Sequence, residues 1–159
     1  MKPKKRYTIF IGADHRGFAL KQWIVAALRQ AGHEVVDAGS YDPAPCDYPA
    51  ISREVATNVV RMKNARGILL CLTGIGHSVA ANKVPGAYAA LCYNKEAAVL
   101  SRQHNNANIL VLGANFVPER LMMDIIQTWL DTEFDGGRHL RRLKQIKAME
   151  KELYKPFKS

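Results

Sequence analysis

Apolar and polar positions fall in short blocks along this chain, and the spacing inside the blocks switches between two periods. Thr8-Ile-Phe-Ile-Gly-Ala13 is an almost wholly apolar, β-branched run of strand length that ends in the polar pair Asp14-His15. From Phe18 the spacing turns helical, with Phe18, Trp23, Ala27 and Leu28 as the expected inner stripe, and Gly32 stops the helix after Ala31. His33 to Ala38 reads as a second strand, Pro43 and Pro45 as a loop, and Tyr48 to Met62 as a second helix. Gly67 to Leu72 is apolar throughout, the pattern of a central strand covered on both faces. A glycine turn leads to a helix from His77 to Lys83. A fourth strand follows at Ala87–Leu91, a helix at Lys95–His104, a fifth strand at Ile109–Leu112 and a helix at Pro118–Leu130, with proline in its first turn.

Strand and helix alternating over the whole length predict an α/β fold, a five-stranded parallel sheet with helices on both faces, in a single domain over residues 1–159. An extra helix from His139 to about residue 155 carries Leu140, Leu143, Ile146, Met149 and Leu153 on one stripe. It packs either on a partner subunit or on its own sheet. In parallel sheets, ligands bind beyond the carboxyl ends of the strands. The search for chemistry therefore narrows to Asp14-His15, Ser40 to Tyr48, Thr73 to Ser78 and the residues after Tyr93.

Charge changes the picture less than its total suggests. The chain of 159 residues has a formal charge of +9, but the net positive charge sits at the ends, in a basic tail over residues 1–6 and in the last helix and the residues after it. Residues 7–137 are close to neutral, and aromatic residues are not interleaved with the basic ones as a single-strand stacking surface requires. A nucleic-acid partner is not expected. No apolar run is long enough to span a bilayer. Cys46, Cys71 and Cys92 form neither a disulfide framework nor a metal-ligand spacing, so the expectation is a cytoplasmic protein with reduced thiols and no metal.

Cys71-Leu-Thr-Gly-Ile-Gly-His-Ser78 is the strongest candidate for chemistry. A thiol closes a buried strand, and glycines then let backbone N–H groups converge on a phosphate or on an oxyanion formed during reaction. The segment is neither a Walker loop nor a dinucleotide fingerprint. Cys71 on its own also fits a buried small hydrophobe, and His77 an exposed residue at a helix start. Asp14-His15 follows the first strand, where Asp14 suits a cap as well as a ligand. His104-Asn105 ends a helix, and Arg138 and Arg142 lie one turn apart, an arrangement suited to an anion.

Taken together, Gly12-Ala-Asp-His15, Asp47-Tyr-Pro49, Cys71-x-Thr-Gly-Ile-Gly76, Ser78-x-Ala-Ala-Asn-Lys83, Ser101-Arg-Gln-His-Asn105 and Gly136-Gly-Arg-His139 resemble the motifs of the type B ribose-5-phosphate isomerases, within the ribose/galactose isomerase group. The resemblance covers nearly the whole chain. It implies a Rossmann-like α/β/α sandwich that forms a homodimer or a tetramer, with an active site shared between subunits and no cofactor. It implies catalytic roles for Cys71 as the proton-transferring base, with Thr73 beside it, and for His104 in ring opening. It implies substrate binding by Asp14, His15, Tyr48, Gly74, Gly76, His77, Ser78, Asn105, Arg138 and Arg142, with His15 and the two arginines on the phosphate. Leu72 stands where the group usually has glycine, His77 where it has an aliphatic residue, and Asn106, Asn115 and Tyr88 also depart from it. The alternatives left open are a hexose or tetrose phosphate as substrate, His77 in place of Cys71 as base, and a non-catalytic phosphosugar-binding protein.

Overall fold

The apolar runs pair into one five-stranded sheet in the computed structural model, which describes residues 5–154. The strands are β1 (Thr8–Ala13), β2 (Glu34–Asp37), β3 (Ala65–Cys71), β4 (Ala89–Leu91) and β5 (Ile109–Gly113). All neighbours are parallel, in the order β2-β1-β3-β5-β4. Parallel pairing demands long crossovers. They are supplied by α1 (Phe18–Gln30), α2 (Tyr48–Arg61), α3 (Ile75–Ala81) and α4 (Lys95–Asn105), and α5 (Glu119–Asp131) and α6 (Gly137–Leu153) complete the chain. Of the basic tail, residues 1–4 lie outside the described residues, and Lys5 forms an ion pair with Glu133.

Side-chain alternation along the strands divides the core in two. Ile9 and Ile11 of β1, Ile68 and Leu70 of β3, and Leu110 and Leu112 of β5 pack against Ile24, Val25 and Leu28 of α1 and Ile125, Ile126 and Trp129 of α5. Phe10, Leu69, Ile109 and Val111 face the other way, onto Val55, Ala56 and Val59 of α2 and Ala81 of α3. Each such side chain contributes about 1.5–3 kcal/mol when fully buried, so both faces of the sheet hold their helices. This is the expected α/β/α sandwich.

Two expectations need correction, and the placement left open for the last helix can be described within one chain. Trp23 is 42% exposed, and the inner stripe of α1 is Lys21, Ile24, Val25 and Leu28. Lys21 is buried because its ammonium is neutralised where it lies, donating to Asp37 Oδ1 at 2.5 Å and to the Ser40 carbonyl at 2.6 Å. That pair ties the loop after β2 to α1, and Ala13 exchanges backbone bonds with Gly39 and Ser40, so the loop lies against the end of β1. Second, β3 ends at Cys71 and α3 starts at Ile75, two residues ahead of the expected His77. The last helix, α6, touches its own chain along one side. Leu143 is buried, Glu150 accepts a hydrogen bond from the Gly86 N–H at 3.0 Å, and Tyr154 donates to the Lys83 carbonyl at 3.2 Å. The rest of its predicted stripe, Leu140, Ile146, Met149 and Leu153, remains exposed.

Candidate active site

After β1 the chain leaves for the β2 edge, and β3 returns on the other side of β1, which opens a crevice beyond the carboxyl ends of β1 and β3. Cys71 closes β3 there, in register with Gly113 of β5. A Cβ on Gly113 would lie 2.4 Å from the Thr73 carbonyl oxygen, so only glycine lets β5 pass this close to the turn. Gly74 takes φ +81°, a left-handed conformation that reverses the chain into α3. Its N–H donates to Cys71 Sγ at 2.9 Å, and the Ile75 N–H donates to Thr73 Oγ1 at 3.3 Å. Of the N–H groups from Gly74 to Ser78 expected to meet an oxyanion, those two and the Ser78 N–H, bonded to the Gly74 carbonyl, are used inside the turn. Among the described residues the Gly76 and His77 N–H groups make no hydrogen bond, which leaves them available to a ligand.

His77 is fully buried, contrary to an exposed helix start. Its Nδ1 lies 2.6 Å from Ser52 Oγ, and Ser52 in turn donates to the Tyr48 carbonyl one turn earlier on α2. The Tyr48 ring tilts against the imidazole at 5.5 Å and fits there because Gly76 carries no side chain; a Cβ would sit 2.6 Å from the ring. Donor atoms of Asp14, Cys71 and His77 lie within 4.8 Å of one another. Burial pushes the His77 pKa down to about 4, and the Asp14 carboxylate and Leu70 carbonyl offset only part of that, so the imidazole is neutral at physiological pH. Asp14 Oδ1 accepts from the Arg16 and Gly17 N–H groups, which fixes the carboxylate and leaves its other oxygen free. His15 is half-buried, and its Nδ1 accepts from the Cys46 N–H at 3.4 Å. Cys92 is a core residue whose thiol burial pushes up to about 11, so it is no rival to Cys71.

The remaining candidates form a second group elsewhere. His104, near the end of α4, stacks face to face on His139 of α6, with centroids 4.2 Å apart and planes 6° apart. Asp135 lies beside the pair. Arg138 and Arg142 are exposed on the first turns of α6. Burial lowers the His139 pKa, and the neighbouring His104, Arg138 and Arg142 lower it further, while Asp135 opposes them. So much positive potential in one place suits an anion. Asn105 lines a cleft of about 220 Å³ with Tyr88, Leu143 and Ile146.

The two groups lie at opposite ends of the sheet. Cys71 pairs with the last residue of β5, whereas α4 delivers His104 and Asn105 just ahead of its first. The five residues of β5 alone account for roughly 13 Å. Cys71, Thr73, Gly74, Gly76, His77, Ser78, Asp14, His15 and Tyr48 thus cluster around one crevice, and His104, Asn105, Arg138 and Arg142 around another surface. Ser52, Asp135 and His139 were not anticipated. Ser52 carries no motif and is marked only by its helical spacing from Tyr48, whereas His139 is visible in hindsight as the histidine between the two arginines.

Known proteins are similar to this chain over most of its length. The family model described as Ribose/Galactose Isomerase matches residues 9–146. Ribose-5-phosphate isomerase B of Escherichia coli K12 is 43% identical over 142 residues, 89% of this chain and 95% of that protein. The solved ribose-5-phosphate isomerase B of Clostridium thermocellum is 46% identical with a TM-score of 0.89, covering 92% of this chain and 99% of that one. That of Mycoplasma genitalium, solved with bound ribulose-5-phosphate, is 42% identical with a TM-score of 0.87, covering 92% and 97%.

Proposed function

The chain belongs to the ribose/galactose isomerase family, and on that footing we propose that it is an aldose–ketose isomerase interconverting ribose 5-phosphate and ribulose 5-phosphate. The observation that carries the reading is the Cys71 sulfur, held by the Gly74 N–H beside two free N–H groups in a crevice also lined by Asp14. A proton α to a carbonyl is only weakly acidic, so its removal needs a base and a stabilised oxyanion side by side. Cys71 as thiolate takes the proton from C2 of the open-chain aldose. The Gly76 and His77 N–H groups hold the charge of the enediolate, and Cys71 returns the proton to C1 while the hydroxyl proton passes from O2 to O1. Asp14 binds sugar hydroxyls.

We further propose that a second copy of the chain completes each site. His104 of the partner subunit assists ring opening, with Asn105 alongside, and the partner's Arg138 and Arg142 join His15 on the phosphate. Bidentate arginine contacts to that non-reacting end supply binding energy for the reaction. A homodimer is supported by the wide separation of the two groups within one chain and by the exposed apolar side chains Ile75, Val79, Leu100, Ile146 and Met149. We place the protein in the cytoplasm with its three cysteines reduced; among the described residues no helix is long and apolar enough to cross a membrane.

Turnover of ribose 5-phosphate by the purified protein tests the reading, with Cys71→Ala and His77→Ala assayed beside it. Loss in Cys71→Ala alone assigns the base to the thiol, and turnover that survives only in Cys71→Ala assigns it to the imidazole. A panel of four-, five- and six-carbon aldose phosphates tests the sugar, and a hexose or tetrose phosphate turned over faster than the pentose would displace ribose 5-phosphate.

A further inference from the structure

Nothing in the proposed reaction uses the free nitrogen of His77, yet this is the most unusual polar atom in the crevice. Nδ1 is taken by Ser52, and Nε2 makes no hydrogen bond of ordinary geometry among the described residues although the side chain is completely buried; the Leu70 carbonyl is the smallest of the influences on the ring and does not close such a bond. Buried nitrogens are rarely left this way. The ring shares its pocket with a thiol and a carboxylate: one donor atom each of Asp14, Cys71 and His77 lie within 4.8 Å of one another.

We propose that Asp14, Cys71 and His77 form a capture site for a thiophilic divalent cation of the zinc type, and that occupancy shuts the isomerase off. This rests on the reading above only for its consequence; the site itself needs no catalysis. A sulfur, an imidazole nitrogen and a carboxylate oxygen are the ligand set that suits Zn²⁺ and not Mg²⁺ or Ca²⁺. Bond lengths of about 2.0–2.3 Å place neighbouring ligands of a tetrahedral site roughly 3.3–3.8 Å apart, so the three groups need only close in slightly. Three protein ligands leave the fourth position for water. The surroundings are those of a ligating set: Ser52 orients the imidazole through its other nitrogen, and the Gly74 N–H supports the sulfur. Asp14 has one carboxylate oxygen fixed by the Arg16 and Gly17 N–H groups and the other free, and as the half-buried member of the set it marks the access route. On binding, the Cys71 thiol gives its proton to solvent and a metal–sulfur bond forms. The base is then no longer available, and the cation stands where the sugar must go. The second cluster, His104, Asp135 and His139, is a poorer trap, because stacked rings send their nitrogen lone pairs out in parallel and do not aim them at one point.

The test is a titration of the chelator-treated full-length protein with Co²⁺, read by the near-ultraviolet thiolate-to-cobalt absorption and by visible bands of tetrahedral intensity, followed by displacement with Zn²⁺. We expect one equivalent per chain. The sulfur band should vanish in Cys71→Ser and persist in Cys46→Ser, and His77→Met, which keeps the buried volume, should weaken binding at least about tenfold. Ribose 5-phosphate turnover should fall with Zn²⁺ at one equivalent per chain and return on adding chelator. Absence of the band in the folded wild type, a band that survives Cys71→Ser, or equal affinity in folded His77→Met overturns the site. Turnover unaffected at full occupancy overturns the shut-off. A cobalt band in a protein without isomerase activity would retain the site and sink the functional reading instead.

Discussion

If each site is built from two chains, two inactive variants must rescue each other. Cys71→Ala lacks the proposed base but keeps the His104 surface, and His104→Ala keeps the base but lacks the surface. The structure sets the size of the rescue. Cys71 and His104 lie at opposite ends of β5 within one chain, so each two-fold dimer has two sites, and each site draws one of these residues from each subunit. In a mixed dimer, one site receives both substitutions and the other receives neither. Random reassociation makes half of all dimers mixed, and half of their sites intact, so the equimolar mixture recovers about a quarter of wild-type activity. The assay is ribose 5-phosphate turnover after co-refolding, or after co-expression with two different tags so that the mixed dimer is isolated and measured alone. The isolated mixed dimer should show about half of the wild-type rate per chain. Recovery of nothing in a mixed dimer proven by its tags would refute the shared site. Appreciable activity in either parent variant would remove that residue from the mechanism before any mixing.

Other expectations follow from single contacts. Gly113→Ala forces a Cβ to 2.4 Å from the Thr73 carbonyl oxygen, a backbone atom that yields only by moving the turn; overpacking of this kind costs about 1–3 kcal/mol, and thermal melting should fall together with kcat. An unchanged melting temperature would contradict the close approach. Arg102 is buried and donates to the Thr132 and Ala107 carbonyls and to Asn106, so Arg102→Met should orphan these acceptors and lose about 1–3 kcal/mol in urea unfolding. His77 titrates near 4 when folded and near 6.5 when unfolded, so the unfolded chain binds more protons between those values and stability falls as pH drops through them. With chelator present, about 2 kcal/mol should be lost between pH 7 and pH 5, and His77→Met should flatten that slope. A wild-type slope no steeper than that of the variant would mean the ring is not held neutral.

The alternation of strand and helix was legible because β-branched runs and helical spacing respond to burial in different ways, and every strand and helix read from the chain is present in the fold. Failures came where one polar group cancelled the cost of burying another. Helical spacing puts Trp23 on the inner stripe and does not include Lys21, but a lysine with a carboxylate and a carbonyl waiting for it can point inward, and the buried face of α1 is set around it. His77 failed in the same way. A histidine in a first helical turn suggests solvent, yet Ser52 and the glycine at position 76 give the ring a buried berth between α2 and α3. Both errors concern polar side chains whose partners are distant in sequence, which no local window reveals. The candidate site was legible as a set of residues and illegible as a place. Motif order brought Cys71 and His104 into one list, but order carries no distance, and β5 lies between them. Under the proposed roles, that separation would make oligomerisation part of the chemistry. If Cys71 is the base and Arg138 and Arg142 hold the phosphate, groups at opposite ends of one sheet cannot act on one sugar, and the apolar side chains left exposed on α3, α4 and α6 are the surface whose burial would assemble the site.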